Sequence, residues 1–430
     1  MVLAIGPVHA PTVADLRRLF ADLMDDQPGL PLVATIGGGG TFWRAVPPQD
    51  RAAHLERMVS AGDDQMLEDV AGYIQRYRPP LSSTLPLSIV VGRESVVVYS
   101  THLLGDGNTF SRMALMIAQA DAAGLAELAN RASFRTVSSM LASTATAHWR
   151  EWARRVIGSD ESDGAKGVPS RPQAVETSPS VQAEGAADVR SAEAVLTRTQ
   201  LKALSTWRNT NCRGVSVTAV LASVIYRSLV EQGVPMDGKG LTTLVDLRRY
   251  LPADRQSIYG NLAQNVYLEA DLCDPAAIAS AMGTVIDSAR PVPALVADAA
   301  RARIRRPRRR PPETLGPVRL SLSVMPSLPG VAGLPWVRDA GRRYVGYAYP
   351  AGVRGISVFA VHHRDRIELM ACFDGRAIQP TAVRSALENV GDAARLLAVP
   401  PRGPSHTERA DAPKRHAAGP PHGGSLAAPR

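Results

Sequence analysis

The stretch Ser100-Thr101-His102-Leu103-Leu104-Gly105-Asp106-Gly107 is the most informative part of this 430-residue chain. Two β-rich runs precede it, Leu87 to Val91 and Ser95 to Ser100, and their short separation predicts a hairpin. Asn108 or Thr109 can then cap a helix that runs through about residue 129. The histidine of the stretch is therefore expected in a turn between a strand and a helix, where rigid elements hold reactive side chains in place.

The string H-x-x-x-D-G, formed by His102, Asp106 and Gly107, resembles the H-H-x-x-x-D-G signature of condensation domains and their chloramphenicol acetyltransferase-like relatives. Thr101 stands where that signature has its first histidine. The resemblance implies that His102, the second histidine, is the catalytic base. It also implies that Asp106 is structural, pairing with an arginine that holds the loop.

A second segment supports the resemblance about 140 residues downstream. The run from Leu244 to Arg248 is similar to the family's V-D-L-R-type strand end, and Gly260-Asn261 is similar to its G-N pair. Arg248 is the candidate partner of Asp106, because a partly buried carboxylate needs a counter-charge. The alternative is an arginine that faces solvent. The D-F-G-W-G string of many peptide-forming condensation domains is absent from the sequence, which puts peptide synthesis in doubt.

Two further residues are candidates for contact with substrate. Gly107 lacks a β-carbon, so its backbone could approach a substrate arm closely or adopt positive φ, or it could be a plain turn glycine. Asn261 could donate a hydrogen bond to a thioester oxygen or merely close a turn.

Acyl transfer from a thioester needs a base, because the attacking amine or hydroxyl loses its proton as the new bond forms. An imidazole with an ordinary pKa of about 6.5 can accept that proton at neutral pH. The sequence has no G-x-S-x-G elbow, and its three scattered cysteines lack the context of a nucleophile or a C-x-x-C metal site. We therefore expect direct attack on the thioester, with no acyl-enzyme and no metal.

Composition divides the chain into an N-terminal lobe (1–157), a flexible linker (158–193), a C-terminal lobe (194–399) and a disordered tail (400–430). The linker and tail are rich in Gly, Ser, Pro and Ala and have no sustained apolar periodicity. Each lobe mixes helical and strand patterns, so the predicted class is an α/β or α+β sandwich. The resemblance implies a pseudo-dimer of two chloramphenicol acetyltransferase-like lobes with a channel between them.

The net charge of +9 comes mostly from one place, because residues 301–310 carry seven arginines. A run of this kind can recruit an acidic partner or be a solvated loop. Only 5% of the residues are aromatic, which leaves few platforms for stacking bases, and nucleic acid is not expected as a partner. No apolar window is long enough for a membrane helix, and we expect a cytoplasmic monomer.

The resemblance implies a phosphopantetheine thioester as donor, on an acyl or peptidyl carrier protein or on coenzyme A, and a small-molecule acceptor. Carrier proteins are usually acidic, so the arginine run could assist docking. One alternative is a coenzyme A-dependent, ester-forming acyltransferase that acts on a small alcohol or lipid. A second alternative is a non-catalytic, condensation-like module that binds a carrier or partner enzyme.

Overall fold

The computed structural model describes most of the chain as two lobes, each built on one large β-sheet with helices packed against it. Among the described residues, none of the helices has the length and apolarity that crossing a membrane would require. The described residues are 1–37, 42–77, 79, 81–157, 188–304, 316–326, 328–338, 341–350, 352–363 and 365–398.

The strands form a five-stranded sheet in the first lobe, a six-stranded sheet in the second and one small ribbon. The first sheet has the order β11-β1-β6-β5-β4, the second has the order β7-β13-β12-β10-β8-β9, and β2 pairs with β3. The strands are β1 Val2–Gly6, β2 Thr35–Ile36, β3 Trp43–Arg44, β4 Val59–Ala61, β5 Leu87–Val91, β6 Val96–Ser100, β7 Val189–Leu196, β8 Met236–Asp246, β9 Ala263–Glu269, β10 Val318–Met325, β11 Arg343–Tyr347, β12 Gly355–His363 and β13 Arg366–Asp374.

The helices vary from single turns to the 24 residues of α6. Thr12 and Thr197 begin α1 and α7 with capping boxes, in which the threonine and the third helical residue bond each other's backbone. The helices are α1 Val13–Asp26, α2 Arg51–Met58, α3 Val70–Arg76, α4 Gly107–Ala118, α5 Ala122–Glu127, α6 Phe134–Ile157, α7 Arg198–Asn211, α8 Val217–Glu231, α9 Pro275–Asp287, α10 Pro291–Ile304, α11 Pro329–Ala332, α12 Pro380–Asn389 and α13 Ala393–Ala398.

The hairpin of β5 and β6 forms the middle of the first sheet, as the sequence predicted. Every residue of both strands is buried. One face, which includes Ile89 and Val98, packs into the core of the first lobe. The opposite face, which includes Val97 and Tyr99, packs into a cluster that also contains Met370 of β13. Burial on both faces explains the continuous apolar runs and fixes the strand end from which the motif loop leaves.

The lobes exchange segments, which corrects the predicted boundaries. Strand β11 belongs to the second half of the chain, yet it pairs antiparallel with β1 at the edge of the first sheet. Met325 and Val331 also pack into the first lobe's core. In the opposite direction, Met140 of α6 packs with Leu247 and Leu262 of the second lobe. The assignment of residues 194–399 wholly to the second lobe was therefore wrong.

Other sequence predictions need smaller corrections. Helix α4 ends at Ala118 rather than near residue 129. Strand β7 begins at Val189, so the end of the predicted linker (158–193) is a strand. Residues 158–187 of that linker, residues 305–315 in and after the arginine run, and the tail (400–430) lie outside the described residues.

Candidate active site

His102 lies in the turn that follows β6, as the sequence predicted. Its side chain is half-buried, and it hydrogen-bonds to no other group within the described part of the chain. Burial lowers the pKa of the imidazole from about 6.5 to about 4, because a charged ring would lose its hydration there. The ring is therefore uncharged at neutral pH, with one nitrogen free to accept a proton.

Asp106 fixes the loop that carries His102 onto the next helix. Its carboxylate caps α4, with Oδ1 accepting a hydrogen bond of 2.9 Å from the backbone N–H of Thr109. The sequence predicted Asn108 or Thr109 as the cap, and this prediction was wrong. Asp106 directly precedes the helix and already accepts the hydrogen bond from the N–H of Thr109, the third helical residue. Oδ2 accepts a second bond, of 2.8 Å, from the backbone N–H of Leu262 in the second lobe.

Arg248 pairs with Asp106 across the lobe boundary. Its Nη1 lies 2.7 Å from Oδ2 of the carboxylate, and the two side chains are 7% and 2% exposed. The same Nη1 donates to Asp246, at 3.0 Å, and Nε donates to the carbonyl of Ile258, at 2.8 Å. Burial alone would lower the pKa of Arg248, but the two carboxylates outweigh it and raise the pKa. The alternative of a solvent-facing Arg248 was therefore wrong.

Thr109 and Gly260 complete this contact between the lobes. The Oγ1 of Thr109 accepts hydrogen bonds of 3.0 Å from Nη2 of Arg248 and from the backbone N–H of Gly260. It donates one of 2.9 Å to the carbonyl of Gly260. We call Asp106, Thr109, Asp246, Arg248 and Gly260 the interlobe network. Its polar atoms are mutually satisfied, which is the condition for a buried ionic cluster to hold one geometry.

Of the two glycines in the motif loop, only Gly105 is required by its surroundings in the described protein. A β-carbon on Gly105 would lie 2.6 Å from Cγ2 of Thr109, a contact that the network cannot absorb. A β-carbon on Gly107 would meet Cε of Met325 at 3.4 Å, which is an ordinary contact. Gly107 is the first residue of α4 and does not have positive φ. Within the described residues, nothing in the protein requires glycine at position 107, and close approach of a substrate stays a prediction.

Asn261 directly follows the network on the second lobe. Its side chain is exposed, and no described protein group hydrogen-bonds to its amide. A cavity of about 370 Å³ opens beside the network, between Asn108 of the first lobe and Asp246, Arg249, Met282 and Ile286 of the second. Asn108 closes one side of this cavity with a bond of 3.2 Å to Asp246.

Solved structures with the same architecture include two domains of peptide synthetases and one acetyltransferase. The first condensation domain of the CDA synthetase has a TM-score of 0.53 at 14% identity, over 93% of this chain and 90% of that one. This chain has the condensation-domain fold. The trichothecene 15-O-acetyltransferase from Fusarium sporotrichioides has a TM-score of 0.54 at 12% identity, over 92% and 90% of the two chains. The epimerization domain from the third module of tyrocidine synthetase B has a TM-score of 0.50 at 12% identity, with the same coverage.

These likenesses confirm the predicted two-lobed α/β class. At such low identity they establish the fold and not the activity. No protein-family model matches the sequence, and a search of curated proteins finds no match either. The roles of individual residues in this condensation fold therefore rest on the geometry of the site itself.

Sequence reasoning missed several residues of this site. Thr109 was expected only as a helix cap, and its hydroxyl instead joins the two lobes. Arg131 lies beside the motif loop, with Nη2 3.5 Å from the carbonyl of Leu103. Thr101 stands where the family signature has a histidine. It is 8% exposed, and its Oγ1 has no hydrogen-bond partner among the described residues. For a single polar residue, the sequence does not indicate which partner its side chain will contact after folding.

Proposed function

We propose that this protein transfers an acyl group from a phosphopantetheine thioester to an amine or a hydroxyl, with His102 as the general base. The observation that carries the proposal is the state of His102. Its imidazole is half-buried, uncharged at neutral pH and not hydrogen-bonded to the described protein, on a loop that the interlobe network holds rigidly. The condensation-domain fold of the chain supports this proposal.

The reaction needs a proton acceptor in its first step and a proton donor in its second step. The amine or hydroxyl attacks the thioester carbonyl carbon, and the free nitrogen of His102 takes the proton as the C–N or C–O bond forms. The tetrahedral intermediate collapses with cleavage of the C–S bond, and the imidazolium returns the proton to the leaving thiolate. Because burial disfavours the charged ring, the imidazolium is short-lived and the neutral base is regenerated in each cycle.

The support roles follow from the same contacts. Asp106 and Arg248 orient the motif loop without touching the reacting atoms. Asn261, with an exposed and unpaired amide beside Gly260, is the proposed donor to the thioester oxygen. The donor is proposed to be an acyl or peptidyl carrier protein, with coenzyme A as the alternative. The acceptor is proposed to be a small molecule.

Intact-mass measurement of an acylated carrier tests the proposal. The purified protein is incubated with acyl-carrier or acyl-coenzyme A and a panel of amines and alcohols, and loss of the acyl mass is followed with time. His102→Ala is expected to slow acceptor-dependent loss by about 10²- to 10⁴-fold, the usual contribution of a general base. His9→Ala is the matched control, because His9 is an exposed histidine of the same lobe.

The outcomes separate the proposed function from its alternatives. Turnover with acyl-coenzyme A but not with acyl-carrier would identify the ester-forming enzyme that uses coenzyme A. Carrier binding without turnover by the unmodified protein would identify the non-catalytic module. Equal rates for the His102→Ala and His9→Ala proteins would show that His102 is not the base.

A further inference from the structure

Several arginines lie at the boundary between the lobes, and two of them are neutralised by carboxylates. Arg248 pairs with two aspartates of the interlobe network. Arg343 of β11 pairs with Glu193 at 2.8 Å and with Glu368 at 3.0 Å, joining the first sheet to strands β7 and β13. Arg131 also lies at this boundary, and within the described chain no carboxylate lies at ion-pair distance from it.

Backbone hydrogen bonds hold Arg131 beside the motif loop. The N–H of Tyr259 donates to the carbonyl of Asn130 at 3.0 Å, and the N–H of Ala132 donates to the carbonyl of Tyr259 at 2.7 Å. These bonds fix the segment around Arg131 against the residues that precede Asn261. The side chain is half-buried, and its hydrogen bonding to the described protein is limited to the long contact with Leu103.

Asp106, the carboxylate whose field acts on Arg131, already has its hydrogen-bond partners. Both carboxylate oxygens of Asp106 accept bonds from Arg248, and each also accepts a backbone N–H. Burial lowers the pKa of Arg131, and the field of Asp106 only partly opposes that effect. A half-buried guanidinium without a paired anion is costly, and an anionic ligand would remove the cost.

A polar group without a described partner follows the segment that holds Arg131. It is the exposed amide of Asn261, which directly follows Tyr259 and Gly260, and these two residues lie against residues 130–132. We propose that Arg131 binds a carboxylate carried by a substrate that reacts at His102, on either the acyl group or the acceptor. This inference rests on the proposed function and adds to it a class of substrate.

A carboxylate fits this position better than the phosphate of the donor arm. The guanidinium contacts the residue that directly follows His102. The whole length of an extended pantetheine chain separates its phosphate from its thioester, so that phosphate lies far from His102 when the thioester reaches it. A carboxylate close to the reacting centre can accept two parallel N–H bonds from an arginine, a geometry that a lysine cannot reproduce.

Matched pairs of substrates test the proposal. On the acyl side, succinyl-coenzyme A is compared with butyryl-coenzyme A. On the acceptor side, 3-hydroxybenzoate is compared with its methyl ester. We expect the unmodified protein to prefer the acid of one pair by about 10- to 100-fold in kcat/KM, the scale of a charge-assisted hydrogen bond. Arg131→Gln should abolish that preference and leave the neutral member of the pair unchanged, while Arg131→Lys should retain part of it.

Arg198→Gln is the matched control, because Arg198 is an exposed arginine at the start of α7, outside the cavity and the interlobe network, and should leave the preference intact. The proposal is overturned if Arg131→Gln slows acid and neutral substrates equally, or if the preference disappears with Arg198→Gln instead. It is also overturned if Arg131→Gln weakens the binding of pantetheine phosphate but not of pantetheine, because Arg131 would then bind the phosphate of the donor arm.

Calorimetric titration of each probe separately keeps this inference distinct from the proposed function. If neither acyl-carrier nor acyl-coenzyme A turns over with any acceptor of the panel, the proposed function fails. Tighter binding of the acid probes that is lost in Arg131→Gln would still support the anion site. Turnover without any preference for the acid would support the proposed function and contradict the anion site at Arg131.

Discussion

The ion pair between Asp106 and Arg248 should be the strongest single coupling between the two lobes. Asp106→Ala removes the acceptor of one short ionic bond and of two backbone N–H groups, and it leaves Arg248 with Asp246 as its remaining carboxylate. Arg248→Ala leaves a carboxylate that is 2% exposed with backbone donors alone. Breaking a buried pair from one side costs about 3–5 kcal/mol, and we expect each single variant to lose this much stability.

The double variant is expected to lose much less than the sum of the single variants. Once both side chains are absent, no uncompensated charge remains buried, so the coupling free energy should be about 3 kcal/mol. Urea unfolding followed by tryptophan fluorescence measures it for the four proteins of the cycle. The same cycle on Glu231 and Arg395 is the control. Both of these side chains are about 40% exposed, and their coupling should stay below about 1 kcal/mol.

The catalytic rates of these variants should fall together with their stability. Loss of either partner frees the loop that carries His102, so kcat should fall in both single variants while the exposed control pair leaves it unchanged. A coupling for Asp106 and Arg248 no larger than that of the exposed control pair would refute the reasoning, because the network would then not join the lobes energetically.

Two further predictions concern the motif loop. Gly105→Ala should lower Tm by several degrees, since its β-carbon would displace Thr109, whereas Gly107→Ala should leave Tm nearly unchanged and impair turnover alone. With a hydroxyl acceptor, kcat/KM should stay level from pH 8 to about pH 5 and fall near the lowered pKa of His102, about 4; an acid limb near pH 6.5 would contradict a buried base. The unfolded chain protonates this histidine first as pH falls from about 6.5, so acidification destabilises the fold, and His102→Ala should reduce that slope by up to about 1.4 kcal/mol per pH unit.

Much of the local structure could be predicted because it depends on neighbours in the sequence. The β5–β6 hairpin, helix α8 and the turn at His102 follow from apolar runs and turn residues. Strand β11 was missed, because a five-residue edge strand carries little periodicity and its pairing with β1 joins positions more than 330 residues apart. The cap of α4 was missed because Asn108 and Thr109 are also typical cap residues.

By itself, the sequence identified the motif loop, the two-lobed α/β class and the pair Asp106 and Arg248, because a family signature and the need of a buried carboxylate for a counter-charge are both readable along the chain. Tertiary structure decided which polar groups remain unpaired. Arg131 and Arg248 are the same residue type, and only the packing of the lobes gives Arg248 a carboxylate and leaves Arg131 without one among the described residues. The physical reason is that the energy of a charge depends on what surrounds it after folding, and no spacing in the sequence records those surroundings.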